Sequence, residues 1–152
     1  MHRRSSADLE AYRSEVRAFI EEHAPRIRLR RGVRAPEPED VPALRRWTAK
    51  LYEAGYFGAD WPEAWGGRGV SDPERQVIVV EEMARAEAPP LLGMGGLAAG
   101  ALIQFGSEEQ QARYLPRIRS GEDIWCQLFS EPDAGSDLAS LQTRARSDGD
   151  TY

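Results

Sequence analysis

Apolar side chains recur at every third or fourth position from Leu9 onward, and at Ile124 that rhythm changes to strict alternation. A helix repeats its buried face every 3.6 residues and a strand every 2, so the change marks a passage from helices to β structure. The chain therefore reads as mostly α, with about five helices followed by the first strands of a β unit. At 152 residues and 41% hydrophobic content it is long enough, and apolar enough, to enclose a core.

Leu9, Tyr12, Val16, Phe19 and Ile20 predict a first helix over residues 7–23, with Ser6 as N-cap and Pro25 to stop it. Asp40 and Pro42 suit the start of a second helix, Leu44, Trp47, Leu51 and Tyr52 form its apolar stripe, and Gly55 is placed to end it. The loop "GYFGADWPEAWGGRG" follows, in which Trp61 and Trp65 either cover a helix end or face a ligand. In "SDPE", Ser71 and Glu74 read as a capping box for a third helix that runs to about Ala88, where "APP" ends it. Val77, Ile78, Val79, Val80 and Met83 make this helix apolar on more than one side, which predicts that it is the most buried.

The segment "LLGMGGLAAGALIQFG" has glycines at 93, 95, 96 and 100, but neither the lysine of a phosphate-binding loop nor a preceding strand. Its small residues read as a surface on which helices approach closely. "SEEQ", from Ser107 to Gln110, is a second capping box, opening a short helix that Pro116 disturbs and Ser120 and Gly121 close. Residues 124–129 then alternate as a first strand, and a second begins near Leu141 and reaches the hairpin signal Asp148-Gly149, with Thr151 and Tyr152 opening the return strand. The expected division is a helical domain over 1–122 and the incomplete start of a β domain over 123–152.

A net charge of -5 gives no general attraction to nucleic acid. The basic run "RIRLRRGVR" is followed at once by "PEPED" and carries no aromatic residue to stack on bases, so it reads as a solvated linker. Cys126 is the single cysteine, which excludes an intrachain disulfide and favours a reducing, cytoplasmic setting. With His2 and His23 the only histidines, no metal site is expected, and no segment approaches the length of a membrane span.

The stretch that carries chemistry is "WCQLFSEPDAGSDLASL". An apolar strand breaks into a loop that offers hydroxyls at Ser130, Ser136 and Ser140, a glycine at Gly135, and carboxylates at Glu131, Asp133 and Asp137. Such a loop suits a polar ligand held against an apolar surface.

"FSEPDAGSDLASL", preceded by "WCQL", resembles the flavin-binding signature of acyl-CoA dehydrogenases. "DWPEAWGGRG", "FGSEEQQARYLPRIRSGE" and "RARSDGDTY" resemble other segments of that family in the same order, so the match covers residues 7–152. Asp133 stands where the family more often has glycine, and Phe129 where a smaller aliphatic is usual. The resemblance implies an amino-terminal helical domain followed by the first strands of a truncated β-barrel-like domain. It implies FAD as cofactor and oxidation of the α,β carbon-carbon bond of an acyl-CoA thioester. Gln127, Leu128 and Phe129 would supply backbone and ring-side contacts to the flavin, and the Ser130 hydroxyl a hydrogen bond. Gly135 and Ser136 would serve the pyrophosphate, with Ser136 also beside bound acyl-CoA.

In this family the catalytic base comes from a carboxyl-terminal helical domain, so no catalytic residue is expected in the present chain and Glu131 reads as a solvated or capping carboxylate. The implied partners are the acyl-CoA, an electron-accepting flavoprotein or other acceptor, and further copies of a full-length subunit. Two alternatives stay open: an acyl-CoA oxidase or flavin monooxygenase of the same superfamily, and an inactive, truncated helical interaction module.

Overall fold

A computed structural model describes residues 6–27 and 36–151. Most of the basic run and Tyr152 lie outside the described residues. Among the described residues five α-helices are formed: α1 (Ser6–His23), α2 (Val41–Glu53), α3 (Pro73–Arg85), α4 (Gly95–Phe105) and α5 (Glu108–Arg119). Ser6, expected as a cap, is itself the first helical residue described.

The helix α2 joins two halves of the core. Trp47 and Leu51 pack with Val16 and Ile20 of α1 and with Ile78, Val79 and Met83 of α3. Tyr52, one residue further on, packs with Trp61, Ala99 of α4, and Leu115 and Ile118 of α5. Two hydrogen bonds tie α2 to the segment between α3 and α4: Trp47 Nε1 donates to the Pro89 carbonyl at 2.8 Å, and the Thr48 hydroxyl accepts from the Leu92 amide at 3.1 Å. Both polar groups are thereby satisfied inside the core.

The cap of α3 is Asp72 and not Ser71. The Asp72 carboxylate accepts from the Arg75 amide at 3.2 Å. Proline lacks an N–H and has a fixed φ, which suits the first helical position, so Pro73 places the cap on the residue directly before it. Nor is α3 the most buried helix. Ile78, Val79 and Met83 point inward with Glu82, but Val77 and Val80 are 54% and 53% exposed, whereas α2, of the same length, buries Leu44, Trp47, Thr48, Leu51 and Tyr52. Apolar residues all round a helix make a buried helix only where neighbours cover every side.

The capping box of α5 forms as expected, with the Ser107 hydroxyl accepting from Gln110 N at 3.2 Å and Gln110 Oε1 from Ser107 N at 2.9 Å. The helix runs through Pro116 to Arg119, held by Leu115 and Ile118, both buried on either side of the proline. Close helix packing on small residues holds at Gly95 and Ala99, which face α5, but not at Gly96 and Gly100, where an added Cβ would meet nothing within 4 Å.

The strands expected over residues 124–129 and from Leu141 are not formed among the described residues. A strand exists by hydrogen bonds to a neighbour, and no neighbouring strand is present to receive them. Among the described residues two isolated antiparallel pairs occur, Glu131 with Ala134 and Asp148 with Thr151. The second is the expected hairpin turn, with Gly149 at φ +64.

Candidate functional site

The segment that leads to the loop is fastened to the helical core by Asp123, whose carboxylate meets Arg117 at 2.8 Å, and by Trp125. The Trp125 carbonyl accepts from Met94 N at 2.8 Å, and its ring meets Tyr114 edge-on with centroids 5.5 Å apart. The approach requires glycine at 93, which has φ +69 and where a Cβ would lie 2.6 Å from the Trp125 oxygen. Beyond Trp125 the chain leaves the core: Cys126, Gln127, Leu128, Phe129 and Ser130 are all exposed, Leu128 at 87% and Phe129 at 65%.

A tight turn then reverses the chain. Glu131 N donates to Ala134 O at 2.9 Å and Ala134 N to Glu131 O at 3.1 Å. In an antiparallel pair the residues flanking such a bonded pair stand opposite one another. Ser130 and Gly135 are those residues, and a Cβ built on Gly135 would lie 4.0 Å from Ser130 Oγ. The structure thus brings Ser130, Gly135 and Ser136 together at one turn, with Gln127, Leu128 and Phe129 running into it. The 3-10 turn Leu138–Ser140 closes the far side, with the Ser140 hydroxyl donating to Asp137 O at 2.8 Å.

Glu131 does more than cap its own turn. Its Oε1 accepts from Gln142 N at 2.5 Å, and its Oε2 accepts from Thr143 N at 3.0 Å and from the Thr143 hydroxyl. The Thr143 hydroxyl and the two amides hold its carboxyl below the usual carboxylate range. These bonds span 11 and 12 residues and no spacing rule announces them, although a carboxylate set among hydroxyl residues was visible.

The two tryptophans of the glycine-rich loop cover helix ends. Trp61 is buried against Tyr52 with ring centroids 5.2 Å apart, and Trp65 Nε1 donates to Gln111 Oε1 of α5 at 3.0 Å. Two cavities border this part of the molecule. One of about 820 Å³ lies among Tyr12, Tyr56, Arg68, Arg75 and Gly100. The other, of about 510 Å³, is walled by Met83, Pro90, Leu91, Gly93, Met94 and Leu97, all apolar. Gly93 and Met94 also hold Trp125, so the apolar cavity adjoins the root of the candidate loop. Among the described residues no helix is long and apolar enough to cross a membrane, and no group of three or more His, Cys, Asp or Glu residues is placed to hold a metal.

Residues 6–122 match the family described as acyl-CoA dehydrogenase, N-terminal domain. Acyl-CoA dehydrogenase IpdE1 of Mycobacterium tuberculosis is 43% identical over 150 residues, covering 95% of this chain and 39% of its own length. The mitochondrial isovaleryl-CoA dehydrogenase of Bos taurus is 33% identical over 149 residues, covering 92% and 32%. Among solved structures, the Tcur3481-Tcur3483 steroid ACAD matches with a TM-score of 0.72 at 35% identity over 99% of this chain and 38% of its own. The ChsE4-ChsE5 complex from Mycobacterium tuberculosis matches with 0.70 at 29% identity, over 99% and 38%. The chain thus spans 39% or less of the length of each of these relatives. With a family match over residues 6–122 and 43% identity to IpdE1 over 95% of its length, the chain belongs to the acyl-CoA dehydrogenase family, and residues 6–122 are its amino-terminal domain.

Proposed function

We propose that the chain is the amino-terminal part of an FAD-dependent acyl-CoA dehydrogenase that oxidises the α,β carbon-carbon bond of an acyl-CoA thioester. In this reading 1–122 is the helical domain and 123–152 the start of the flavin-binding β domain. The observation that carries it is the turn that sets the Ser130 hydroxyl opposite Gly135, directly after two exposed apolar residues, Leu128 and Phe129.

The donor set fits FAD. Among the described residues the backbone of 126–130 forms no hydrogen bond within the chain, so its amides and carbonyls are free to meet the polar edge of a ring. Leu128 and Phe129 offer apolar surface to the ring itself, and Ser130 a hydroxyl. Gly135, with no side chain, leaves room for a phosphate at the turn, and Ser136 adds a hydroxyl for the pyrophosphate or the acyl-CoA. When bound, FAD supplies the hydride acceptor for the oxidation. Glu131 is engaged with Gln142 and Thr143 and does not serve as the base, which this reading assigns to a carboxylate of a carboxyl-terminal helical part. The protein works with an electron acceptor, as an oligomer, in a reducing compartment such as the cytoplasm where the exposed Cys126 stays a thiol.

The apolar cavity beside Trp125 favours a bulky acyl group. It is an open apolar groove of about 510 Å³, walled by Met83 and Leu91 and by the exposed Met94 and Leu97. A related solved structure is a steroid ACAD, which points to the same class of ring-bearing acyl-CoA.

The test is flavin content. The chain continued to the length of its relatives should purify yellow with FAD and reduce an artificial acceptor with ring-bearing acyl-CoA faster than with short straight-chain acyl-CoA. Protein that is folded but binds no FAD at micromolar concentration would refute the reading.

A further inference from the structure

Both oxygens of Glu131 are occupied at long range, while its backbone is paired in the turn with Ala134. One residue therefore joins the turn 131–134 to the backbone at Gln142 and Thr143 and closes the intervening segment into a ring. That segment carries Gly135 and Ser136, and Ser130 stands at its entrance. Without the clasp, closing about ten residues would have to be achieved by the ligand itself, at an entropic cost to its affinity. The hydrogen-bond partners of Glu131 all lie within 134–143.

We infer that Glu131 is a positioning residue of the cofactor site, whose carboxylate holds Gly135 and Ser136 against Ser130 before FAD arrives. The inference rests on the FAD reading above, and its test separates the two.

Amide hydrogen exchange in the present chain reads the clasp directly. In Glu131→Gln, and in Thr143→Val as a second variant, the amides of Gln142 and Thr143 should exchange roughly tenfold faster, with the helical circular dichroism unchanged. In the chain continued to the length of its relatives, flavin fluorescence quenching should show an FAD dissociation constant raised about tenfold by Glu131→Gln, and turnover should recover when FAD is saturating. The double variant should cost no more than Glu131→Gln alone, because both changes open one clasp. Unchanged exchange at Gln142 and Thr143 overturns the clasp. Faster exchange with unchanged FAD affinity overturns the positioning role but leaves the site standing, provided Ser130→Ala weakens FAD. If the wild-type protein binds no FAD, site and inference fall together.

Discussion

Arg17 Nε donates to Glu82 Oε2 at 2.9 Å, and its second nitrogen to Oε1 at 3.0 Å, across the seam between α1 and α3. Arg13 and Arg85 reach the same carboxylate at 3.1 and 2.7 Å, so one buried glutamate, 2% exposed, is met by three guanidinium groups. The Arg17 hydrogen bond, ahead of those from Arg85 and Arg13, lowers its pKa from 4.5 to about 2, against the burial that alone would raise it.

Replacing Glu82 with Gln leaves these arginines facing a neutral group. Because Arg17 and Arg85 are each 44% exposed and partly solvated, the loss should reach up to about 3 kcal/mol, the low end for a broken buried pair. Urea unfolding at pH 7 measures it. A folded-state pKa below the unfolded one means stability that is present above pH 4.5 and lost as pH falls toward 2. The stability difference between wild type and Glu82→Gln should therefore shrink over that window, and a constant difference would show that the charge of Glu82 is irrelevant.

The cap of α3 separates two adjacent residues. Asp72→Ala should cost about 1 kcal/mol, the usual loss for a removed N-cap, while Ser71→Ala should stay within about 0.5 kcal/mol. Thermal unfolding of the two variants side by side decides between them.

Three glycines of one segment should respond in opposite directions. Gly96 and Gly100 lie in α4 with open space where a Cβ would go, so alanine at either should stabilise the chain by roughly 0.5 to 1 kcal/mol. Gly93→Ala meets the Trp125 carbonyl at a positive φ and should lower the melting temperature.

The tail should be divisible at Trp125. Deleting residues 127–152 removes chain whose described residues are exposed apart from Glu131 and Ala134 and should leave the stability of the helices nearly unchanged, while reducing self-association through unpaired backbone. Deleting from Asp123 also removes the Trp125 ring from its place against Tyr114 and the Asp123 carboxylate from Arg117, at 2.8 Å, and should cost about 2 kcal/mol more. Equal unfolding midpoints for the two truncations would show that Trp125 contributes nothing.

The cofactor loop has its own single-bond test. Ser130→Ala, in the chain continued to the length of its relatives, removes one hydroxyl bond worth roughly 0.5 to 1.5 kcal/mol and should weaken FAD by a few-fold to about tenfold in a binding titration.

The helices were legible because their causes are local. The threefold and fourfold spacing of Leu9 to Ile20, the proline in the first turn of α2, and the Ser107-Gln110 box each act within a turn or two of chain, and these helices form where expected, although Asp40 makes no side-chain cap bond to α2. Asp72 could also have been found, because Pro73 marks the first helical residue by its missing N–H. The turn signal at Gly149 acted in the same way, through a positive φ that glycine tolerates.

Tertiary structure decided what depends on a distant neighbour. Val77 and Val80 are as apolar as Ile78 and Val79, and only the placement of α1 and α2 leaves the first two in solvent. The alternation from Ile124 records which faces a strand would turn to either side, but a strand is a set of hydrogen bonds between segments, and among the described residues none supplies them. Glu82 and Glu131 are ordinary glutamates in the chain. Their roles come from arginines 65 and 69 residues away in one case and from amides 11 and 12 residues away in the other, groups that only folding brings within hydrogen-bond distance.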